Sequence, residues 1–555
     1  MDERTVLSRR SLLKGAAAGA VSVSALGMLG LSTQAIGSAV GNSPVYSTKH
    51  TWEVKPDPIP ASEIARTVET EVLIIGGGYS GTCCAYNAAA NGTKVILVEK
   101  ADVLNGHGVG GTGAVASRAL DELGVEIDKS LEMQRWVKTC GGRCSERLVG
   151  KWFRESERCM NWLLDLAEEN DMTCMVTVGS RSAVHPEADC YHMLRGGDYF
   201  AEHGAAVGLE YLFMDYAIEN GAEFVFESPA VQLVQDASGR IVGAICEDSN
   251  GEYVQYNASK GVVLSTGDIS YNDEYMQAFA PIGMKVFRRL CSAMGNVGDG
   301  HNMAAWAGAA FEDAPWPTMM HPQAAAGFHG PFLFVNPQGK RFMNEATWVQ
   351  GKCVGVMVNG GSDHAWSIFD ANWQRDLEIS LAYGGGMFWD SFRAVGTTYA
   401  DAVASHSRSV ENGVENRPAY YKRADTLEEL ADLIEVDKTE FLATVERYNK
   451  VCDAEEDIDF FKETHFLYPI KEGPFTACMV GPGLLAVVSG IKISDHFEVL
   501  DANGKVLEGL YAIGNCAGGM YAYDYPINIQ GNSHGRCLVS GKCLGEQLAG
   551  VYVEM

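Results

Sequence analysis

The sequence lacks the cysteine patterns that hold a haem or a zinc ion, although it contains 15 cysteines. No CxxC, CxxCH or regular series of cysteines and histidines occurs, so neither a c-type haem nor a zinc finger is expected. Cys140, Cys144, Cys159, Cys174 and Cys190 could hold an iron–sulfur cluster, but their spacings match none of the common ferredoxin patterns. We therefore expect no metal, and we expect most of the thiols to be buried in the core.

Positive charge is also scarce, since 43 lysines and arginines stand against 71 acidic residues and give a formal net charge of −28. Nucleic acids and anionic membrane surfaces repel such a protein, so neither is an expected partner. The 555 residues exceed one typical domain, and the 46% content of hydrophobic residues supports a buried core. The composition therefore predicts an enzyme of two domains, or of one domain with a large insertion.

A long apolar run that could span a membrane is missing as well. Arg9 and Arg10 precede an uncharged run, residues 15–31, in which glycine and alanine make a poor transmembrane span. This order resembles a twin-arginine signal peptide over residues 1–39, which would export a folded, cofactor-loaded protein to the periplasm or the extracytoplasmic face of the cell membrane. Residues 40–66 are rich in proline and lack a periodic apolar pattern, so we expect a linker there and a fold that begins near Thr67.

The most informative pattern in the chain runs from Glu71 to Glu99. An apolar strand leads into Gly76, Gly78 and Gly81, and an alanine-rich helix and a second apolar strand follow. The glycines allow a tight turn close to a pyrophosphate, and the helix N-terminus offers free N–H groups to it. Glu99 lies about 20 residues further on, where an acid can accept hydrogen bonds from a ribose. The pattern therefore predicts a dinucleotide-binding βαβ unit.

Other glycine-rich segments follow in the order that a nucleotide-binding fold needs. Residues 105–114 form a loop in which the backbone can approach a flat ring, although an ordinary loop is an alternative. Short alternating strands in residues 222–265 predict a β-meander. A buried strand then ends at Thr266 and Gly267, and Asp299 opens an alanine-rich helix.

In this order the segments resemble the FAD-binding family of soluble fumarate reductases, urocanate reductases and 3-ketosteroid dehydrogenases. The resemblance covers most of the chain from Thr67 onward. It is carried by residues 76–81 with Glu99, 105–114, 265–268 (similar to ATGG), 509–515 (similar to GLYAAGE, with Asn515 where glutamate is usual) and 530–533 (similar to GGNA). It implies an α/β fold with a Rossmann-like FAD-binding domain in two parts, residues 67–315 and 480–555, and an inserted α+β capping domain, residues 316–479.

The resemblance implies FAD as the cofactor. The helix that starts at Asn532 would point its positive end at the flavin pyrimidine ring and stabilise negative charge on reduced flavin. The residues expected to hold FAD are Gly76, Gly78, Ser80, Gly81, Glu99, Lys100, Gly106, His107, Gly113, Ala114, Val231, Thr266, Gly267, Asp299, Gly514, Asn515, Asn532 and Ser533.

Departures from the family pattern argue against fumarate as the substrate. The proton-donating arginine of fumarate reductases is expected shortly after Glu345, but residues 346–350 contain none. Their second carboxylate-binding arginine is expected near Tyr525 and is absent there too. Two buried carboxylates without cationic partners would each cost several kcal/mol. Arg341, in a segment that resembles the family's NxxGxRFxNE run, is expected to form a structural ion pair.

The resemblance instead implies a carbonyl-binding site at the loop before Asn532. Tyr525 matches the tyrosine of the YPGxG element of ketosteroid dehydrogenases, whose hydroxyl holds the ketone oxygen together with a backbone N–H, here that of Ile529. A packing tyrosine is the alternative. His321, at an HP element similar to that of the family, or one of Tyr521 and Tyr523 could supply a proton, and the sequence does not choose between them.

We therefore expect an FAD-dependent oxidoreductase that acts on CH–CH groups and saturates a C=C bond conjugated to a carbonyl. A ketosteroid-type dehydrogenase, a reductase of another small unsaturated acid and a flavoprotein that only relays electrons are alternatives. The partners expected are an unsaturated carbonyl substrate and an external electron donor, because the chain has no haem motif and only one nucleotide fingerprint. By family analogy that donor is a membrane cytochrome.

We predict that replacing both Arg9 and Arg10 by lysine leaves the protein in the cytoplasm, because the export route reads the arginine pair. Cell fractionation and immunoblotting measure this directly. Unchanged export of the double variant would show that the segment is not a twin-arginine signal.

Overall fold

The computed structural model describes residues 49–106, 111–205, 207–290, 295–385 and 394–554. The signal segment predicted for residues 1–39 and the FAD contact predicted for His107 lie outside these ranges. The first strand begins at Ile64, inside the segment predicted as a linker. Trp52 packs against Tyr275 with ring centroids 4.3 Å apart, so this segment contacts the folded domain well before Thr67. The sequence did not predict this contact, because a single aromatic residue such as Trp52 forms no periodic apolar pattern.

The strands of the described ranges form one large sheet and three small ones. Numbered in chain order, the strands are β1 (Ile64–Ile75), β2 (Val95–Val98), β3 (Gly111–Gly113), β4 (Met172–Thr177), β5 (Tyr191–Gly196), β6 (Glu223–Val225), β7 (Ala230–Gln235), β8 (Ile241–Glu247), β9 (Tyr253–Leu264), β10 (Arg288–Arg289), β11 (Thr318–His321), β12 (Leu333–Val335), β13 (Ala365–Phe369), β14 (Tyr421–Ala424), β15 (Phe475–Val480), β16 (Gly483–Val487), β17 (Glu498–Leu500) and β18 (Val506–Ala512).

Helices cover both faces of the large sheet and surround the smaller ones. In chain order the α-helices are α1 (Tyr79–Ala90), α2 (Arg118–Glu122), α3 (Lys129–Thr139), α4 (Glu146–Glu169), α5 (Gly197–His203), α6 (Gly208–Glu219), α7 (Asp273–Phe279), α8 (Asp299–Trp306), α9 (Val349–Val358), α10 (Trp373–Leu381), α11 (Tyr399–Asn416), α12 (Leu427–Leu433), α13 (Lys438–Asp453) and α14 (Asn532–Ala549). Within the described ranges, no helix is both long and apolar enough to cross a membrane.

The large sheet has a parallel centre in the order β18–β9–β1–β2–β6, with β17 antiparallel at one edge. The last four residues of β1 are apolar and almost fully buried, as both faces of a parallel sheet require. Ile75 is in register with Val98 and with Leu264, and Leu264 with Ala512. The carboxyl ends of four strands therefore lie side by side, at the edge where α/β folds bind ligands. The α/β class is confirmed.

Two further sequence predictions are confirmed in this part of the fold. Strands β7, β8 and β9 pair antiparallel in succession, which is the predicted meander. Helix α4 is the packing helix expected between Ser145 and Asn170, and Ser145 caps it by accepting the N–H of Leu148. Trp152 and Leu163 are among its buried residues and pack in the core that α1 and α14 share.

The segment predicted as the capping insertion forms a sheet of its own, in the order β12–β13–β15–β14, with all neighbours antiparallel. Helices α10 to α13 pack around it in two apolar clusters. At the base of the insertion β11 pairs with β16, and His321 is in register with Gly483. The exact boundaries at residues 316 and 479 stay a prediction.

A buried cluster of charged side chains holds this α+β part together. The guanidinium of Arg341 contacts Glu345 at 2.8 Å and Asp457 at 2.7 Å, and Lys462 contacts Glu345 at 3.1 Å. The ion pair predicted for Arg341 is thus confirmed. Burial by itself raises the pKa of Glu345, but the charges of Lys462 and Arg341 outweigh this effect and lower the pKa below its ordinary value.

We predict that Arg341→Met lowers the apparent free energy of unfolding by about 3–5 kcal/mol, because it leaves Glu345 and Asp457 buried with one cation fewer. Since the pKa of Glu345 is lower in the folded state than in the unfolded state, ionised Glu345 adds to the free energy of unfolding at pH values above the unfolded pKa. This contribution is lost as the pH falls through the folded pKa. Urea unfolding of the wild type and the variant between pH 3 and pH 7 measures both effects.

Arg447→Met is the matched control for this experiment. Arg447 contacts Asp459 at 2.8 Å, but this pair lies at the surface, where water screens it. The control should unfold at nearly the wild-type urea concentration. Equal losses in the two variants would contradict a special role for the buried cluster.

Candidate functional site

The turn after β1 is built for close approach of a ligand to the backbone. Gly76 has φ +106°, and a Cβ added there would lie 2.5 Å from the carbonyl oxygen of Ser265. A Cβ at Gly81 would lie 2.1 Å from the carbonyl oxygen of Gly76, so α1 can approach the turn only with glycine at that position. Gly78 caps α1 without a side-chain hydrogen bond, and a Cβ there would meet no atom within 4 Å. An uncapped helix N-terminus that faces open space fits a pyrophosphate.

The acid predicted to bind a ribose lies directly beside this turn. Glu99 Oε2 accepts the N–H of Gly77 at 2.8 Å, and Oε1 accepts the N–H of Ala101 at 2.9 Å. The next residue, Lys100, contacts Asp299 at 2.7 Å and thereby fixes the N-terminus of α8 to the same edge. Both glutamate oxygens have remaining lone pairs for hydroxyl donors.

The carboxyl ends of β9 and β18 bring the second half of the predicted FAD site to the same edge. A Cβ at Gly514 would lie 2.4 Å from Ser80 Oγ, so the two predicted FAD residues are in direct contact. Thr266 packs in the same way on the first turn of α8, where its Oγ1 lies 2.0 Å from an added Cβ at Gly300. Gly267 continues this segment with φ +72°.

The predicted flavin-facing loop meets the start of α14. The N–H of Gly113 donates to the carbonyl of Gly531 at 2.9 Å, and an added Cβ at Gly113 would lie 2.9 Å from the nitrogen of Asn532. Ala114 is buried behind this contact. The N-cap residue Gly531 has no side chain to cap α14, and the partial positive charge of this helix N-terminus favours an electron-rich group.

Two of the predicted FAD residues lie at the margins of this cluster. Gly106 is buried at the end of the segment that follows Glu99. Val231 is half-buried in β7. Three residues before it, the N–H of Ser228 donates to the carbonyl of Glu99 at 2.8 Å. Their direct contact with FAD stays a prediction.

The tyrosine-rich loop of residues 521–529 is tied to the first turn of α14. The side-chain nitrogen of Asn532 donates to the carbonyls of Pro526 and Ile529 at 2.6 and 2.7 Å, and its oxygen accepts the hydroxyl of Tyr521 at 2.7 Å. The hydroxyl of Tyr525 accepts the N–H of Ser533 at 3.0 Å. Tyr525 and Ile529, predicted to hold a carbonyl oxygen, are both buried in this loop.

Tyr525 keeps its proton in this environment. Burial raises the pKa of Tyr525 well above its ordinary value, and the N–H of Ser533 and the charge of Arg536 oppose only part of this effect. Because its oxygen accepts from Ser533, the hydroxyl hydrogen remains a donor for another group.

The three proton donors proposed from the sequence lie in different environments. Burial lowers the pKa of His321 to about 3, so its ring is neutral at ordinary pH. The hydroxyl of Tyr521 already donates to Asn532. Tyr523 is 42% exposed, and its ring lies over the guanidinium of Arg143 at 4.7 Å, at the surface of the loop.

A fourth candidate for the proton donor, which the sequence reasoning missed, is Asp524, between Tyr523 and Tyr525. Asp524 Oδ1 accepts the N–H of Tyr525 at 2.8 Å and a hydrogen bond from the side-chain nitrogen of Gln350. Gln350 in turn accepts the N–H of Met320 at 3.1 Å. Burial raises the pKa of Asp524 to about 6. The sequence carries no signal for this, since neither the burial nor the partner on α9 can be read from neighbours along the chain.

Arg536 is a second residue that the sequence reasoning missed. It is 6% exposed, and it donates to Asn515 Oδ1 at 2.6 Å and to the carbonyls of Val488 and Ala517 at 3.4 Å. Its guanidinium also lies 4.8 Å from the ring centre of Tyr521. Its position four residues after Asn532 places both on one face of α14.

The cysteines do not assemble the iron–sulfur site considered above. Cys140 hydrogen-bonds to Cys144, whereas Cys190 contacts the carbonyl of Gln530. In the part of the chain that the structure describes, the one group of three possible ligands is Glu155, Cys159 and Cys543. Arg158 donates to Glu155 at 2.9 Å and to Cys543 at 3.5 Å, and its positive charge disfavours a cation there.

Comparisons with known proteins agree with this geometry. The family model described as "FAD binding domain" matches residues 71–527. The chain is 25% identical over 505 residues to a vinyl phenol reductase of Lactiplantibacillus plantarum, which covers 88% of this chain and 97% of that protein. It is 25% identical over 492 residues to a fumarate reductase (cytochrome) of Shewanella frigidimarina, covering 86% of this chain and 77% of that protein.

A solved structure shows the same fold. The 3-ketosteroid-Δ4-(5α)-dehydrogenase of Rhodococcus jostii RHA1, in complex with 4-androstene-3,17-dione, superimposes with a TM-score of 0.67 at 21% identity. The superposition covers 89% of this chain and 99% of that one. With the glycine turn and Glu99 at one sheet edge, and the N-terminus of α14 against the predicted flavin-facing loop, FAD is the cofactor that these residues fit. The chain therefore belongs to the FAD-binding domain family and is an FAD-dependent oxidoreductase.

Proposed function

We propose that the protein is an exported reductase that saturates a C=C bond conjugated to a carbonyl in an organic acceptor. The observation that carries the proposal is the Tyr525 hydroxyl, which is buried, held by the N–H of Ser533 and still able to donate its hydrogen. Two of the relatives are a vinyl phenol reductase and a fumarate reductase, and both names denote unsaturated substrates.

Bound FAD would supply the hydride that is added to the β-carbon of the acceptor. Tyr525 would donate to the carbonyl oxygen, where negative charge grows as the hydride arrives, and the N–H of Ile529 would be the second donor. Donors aimed at a developing oxyanion stabilise the transition state more than the ground state. The positive N-terminus of α14, beside Ser533, would add to this stabilisation.

We infer that Asp524 supplies the proton that completes the reaction at the α-carbon. Hydride and proton together convert the C=C bond to CH–CH, and the carboxylate then recovers a proton from water. Asp524 suits this role better than His321, because a pKa of about 6 leaves a useful fraction of acid near neutral pH, whereas a pKa of about 3 does not. Both hydrogen bonds of Asp524 reach Oδ1, so Oδ2 can carry the proton.

Electrons would come from an external donor, for which a membrane cytochrome is the family analogue. The likeness to the ketosteroid dehydrogenase favours the reverse reaction as the second candidate, since the same carbonyl donors serve both directions. Anaerobic reduction of the purified flavin by a chemical donor, followed by a panel of enones, enoates and steroids, shows which compound reoxidises it.

We predict that Tyr525→Phe lowers the rate of flavin reoxidation by the best acceptor on the order of 10² to 10³, because one oxyanion donor is lost while the ring still packs. The flavin spectrum and the melting temperature should stay close to wild type. Stopped-flow absorbance of the reduced protein mixed with the acceptor measures the rate.

Tyr552→Phe is the control for this measurement. The hydroxyl of Tyr552 is also hydrogen-bonded, to Glu155 at 2.9 Å, but it belongs to the core around α4. The control should reoxidise at the wild-type rate. A wild-type rate in Tyr525→Phe would place the carbonyl elsewhere, and loss of flavin in that variant would favour the packing role.

We predict that reoxidation by the acceptor slows as the pH rises through about 6, by about tenfold per unit at higher pH, because the acid form of Asp524 is the reactive one. Asp524→Asn should be slower on the order of 10² to 10⁴ and should lose this pH dependence. Stopped-flow rates between pH 5 and pH 9 measure both. An unchanged pH profile in the variant would assign the proton to another group.

A further inference from the structure

Arg536 is a buried cation whose described hydrogen-bond acceptors are all neutral. Its two terminal nitrogens donate to the side-chain oxygen of Asn515 and to two backbone carbonyls. Its Nε has no hydrogen-bond partner. Across the ranges that the structure describes, no carboxylate lies within ion-pair distance of this guanidinium.

Another buried cation on the same helix does have an anionic partner. Lys542, which is also 6% exposed, contacts Glu546 at 2.8 Å and Asn87 at 3.0 Å, so its charge is neutralised within the chain. A buried charge without an opposite partner is costly, and such a residue is retained most readily where a ligand brings the missing charge.

The surroundings of Arg536 indicate what that ligand is. Its acceptor Asn515 also lies 3.4 Å from Ser533 Oγ, and both of these residues are expected to hold FAD. The N-terminus of α14 adds partial positive charge at the same place. Among the described residues, the surroundings of Arg536 therefore combine two sources of positive potential, and no carboxylate pairs with the guanidinium there.

We propose that Arg536 sets the reduction potential of the bound FAD by holding its reduced form more tightly than its oxidised form. Uptake of two electrons and one proton leaves the reduced cofactor with one negative charge, and Arg536 is the unneutralised cation that can attract it. The inference rests on FAD binding, and it is independent of which acceptor the protein reduces.

The asparagine at residue 515 gives this proposal a second basis. The segment 509–515 resembles GLYAAGE except that Asn515 stands where glutamate is usual. A carboxylate there would contact Arg536 where the amide oxygen now does, at 2.6 Å, and would neutralise the guanidinium. The neutral amide orients Arg536 and leaves its charge available to the cofactor.

The test is spectroelectrochemical titration of the purified holoprotein, without any organic acceptor. Arg536→Gln should weaken binding of reduced FAD relative to oxidised FAD by about tenfold, which equals a potential lower by about 30 mV for a two-electron couple. Asn515→Asp should lower the potential in the same direction while Arg536 stays in place. Arg536→Lys keeps the charge and should stay nearer the wild-type potential than Arg536→Gln.

Lys542→Gln is the matched control, because it removes a cation from the same helix whose charge is already paired, and Glu546 keeps its contact with Arg158 at 2.8 Å. Its potential should equal that of the wild type. Unchanged potentials in both Arg536→Gln and Asn515→Asp, or an equal fall in the control, would overturn the proposal. If Arg536→Gln does not retain flavin, the comparison of Asn515→Asp with the wild type decides.

Two other outcomes separate this proposal from the assignments on which it rests. A wild-type protein without bound FAD would contradict the cofactor, rather than the role of Arg536. A higher KM for the organic acceptor at an unchanged potential would assign Arg536 to acceptor binding and would overturn its role in setting the potential.

Discussion

The hydrogen bonds of one side chain, that of Asn532, join the parts of the site that come from different segments. Its amide nitrogen holds the carbonyls of Pro526 and Ile529, and its oxygen holds Tyr521. Through these contacts the first turn of α14 and the tyrosine-rich loop form one unit. Together with the hydrogen bond between Tyr525 and Ser533, these contacts restrict a loop that would otherwise be free to adopt many conformations.

Much of the cofactor half of the site could be predicted from the sequence, because local rules determine it. The need for glycine at Gly76 and Gly81 follows from backbone sterics, and the place of Glu99 follows from the length of a βαβ unit. Continuous apolar runs predict the buried parallel strands. Such features depend on neighbours within about 30 residues, and the pattern of a single sequence records them.

The catalytic half could not be predicted to the same extent, because its chemistry depends on contacts between distant segments. Asp524 owes its raised pKa to burial and meets Gln350, 174 residues away. Arg536 donates to the backbone carbonyls of Val488 and Ala517, and because any residue type carries such a carbonyl, the sequence gives no sign of these contacts. His321, by contrast, carried a family motif, yet burial leaves its ring neutral. A motif identifies the residue type, whereas the surroundings of that residue determine whether its side chain is charged.

The hydrogen bond from Gln350 to Asp524 connects α9, in the predicted capping segment, with the tyrosine-rich loop. A carboxylate accepts a hydrogen bond more strongly than a carboxylic acid does. Loss of the proton from Asp524 would therefore tighten this contact, and reprotonation would loosen it. By thermodynamic reciprocity, any change that strengthens the contact between α9 and the tyrosine-rich loop also favours the ionised form of Asp524.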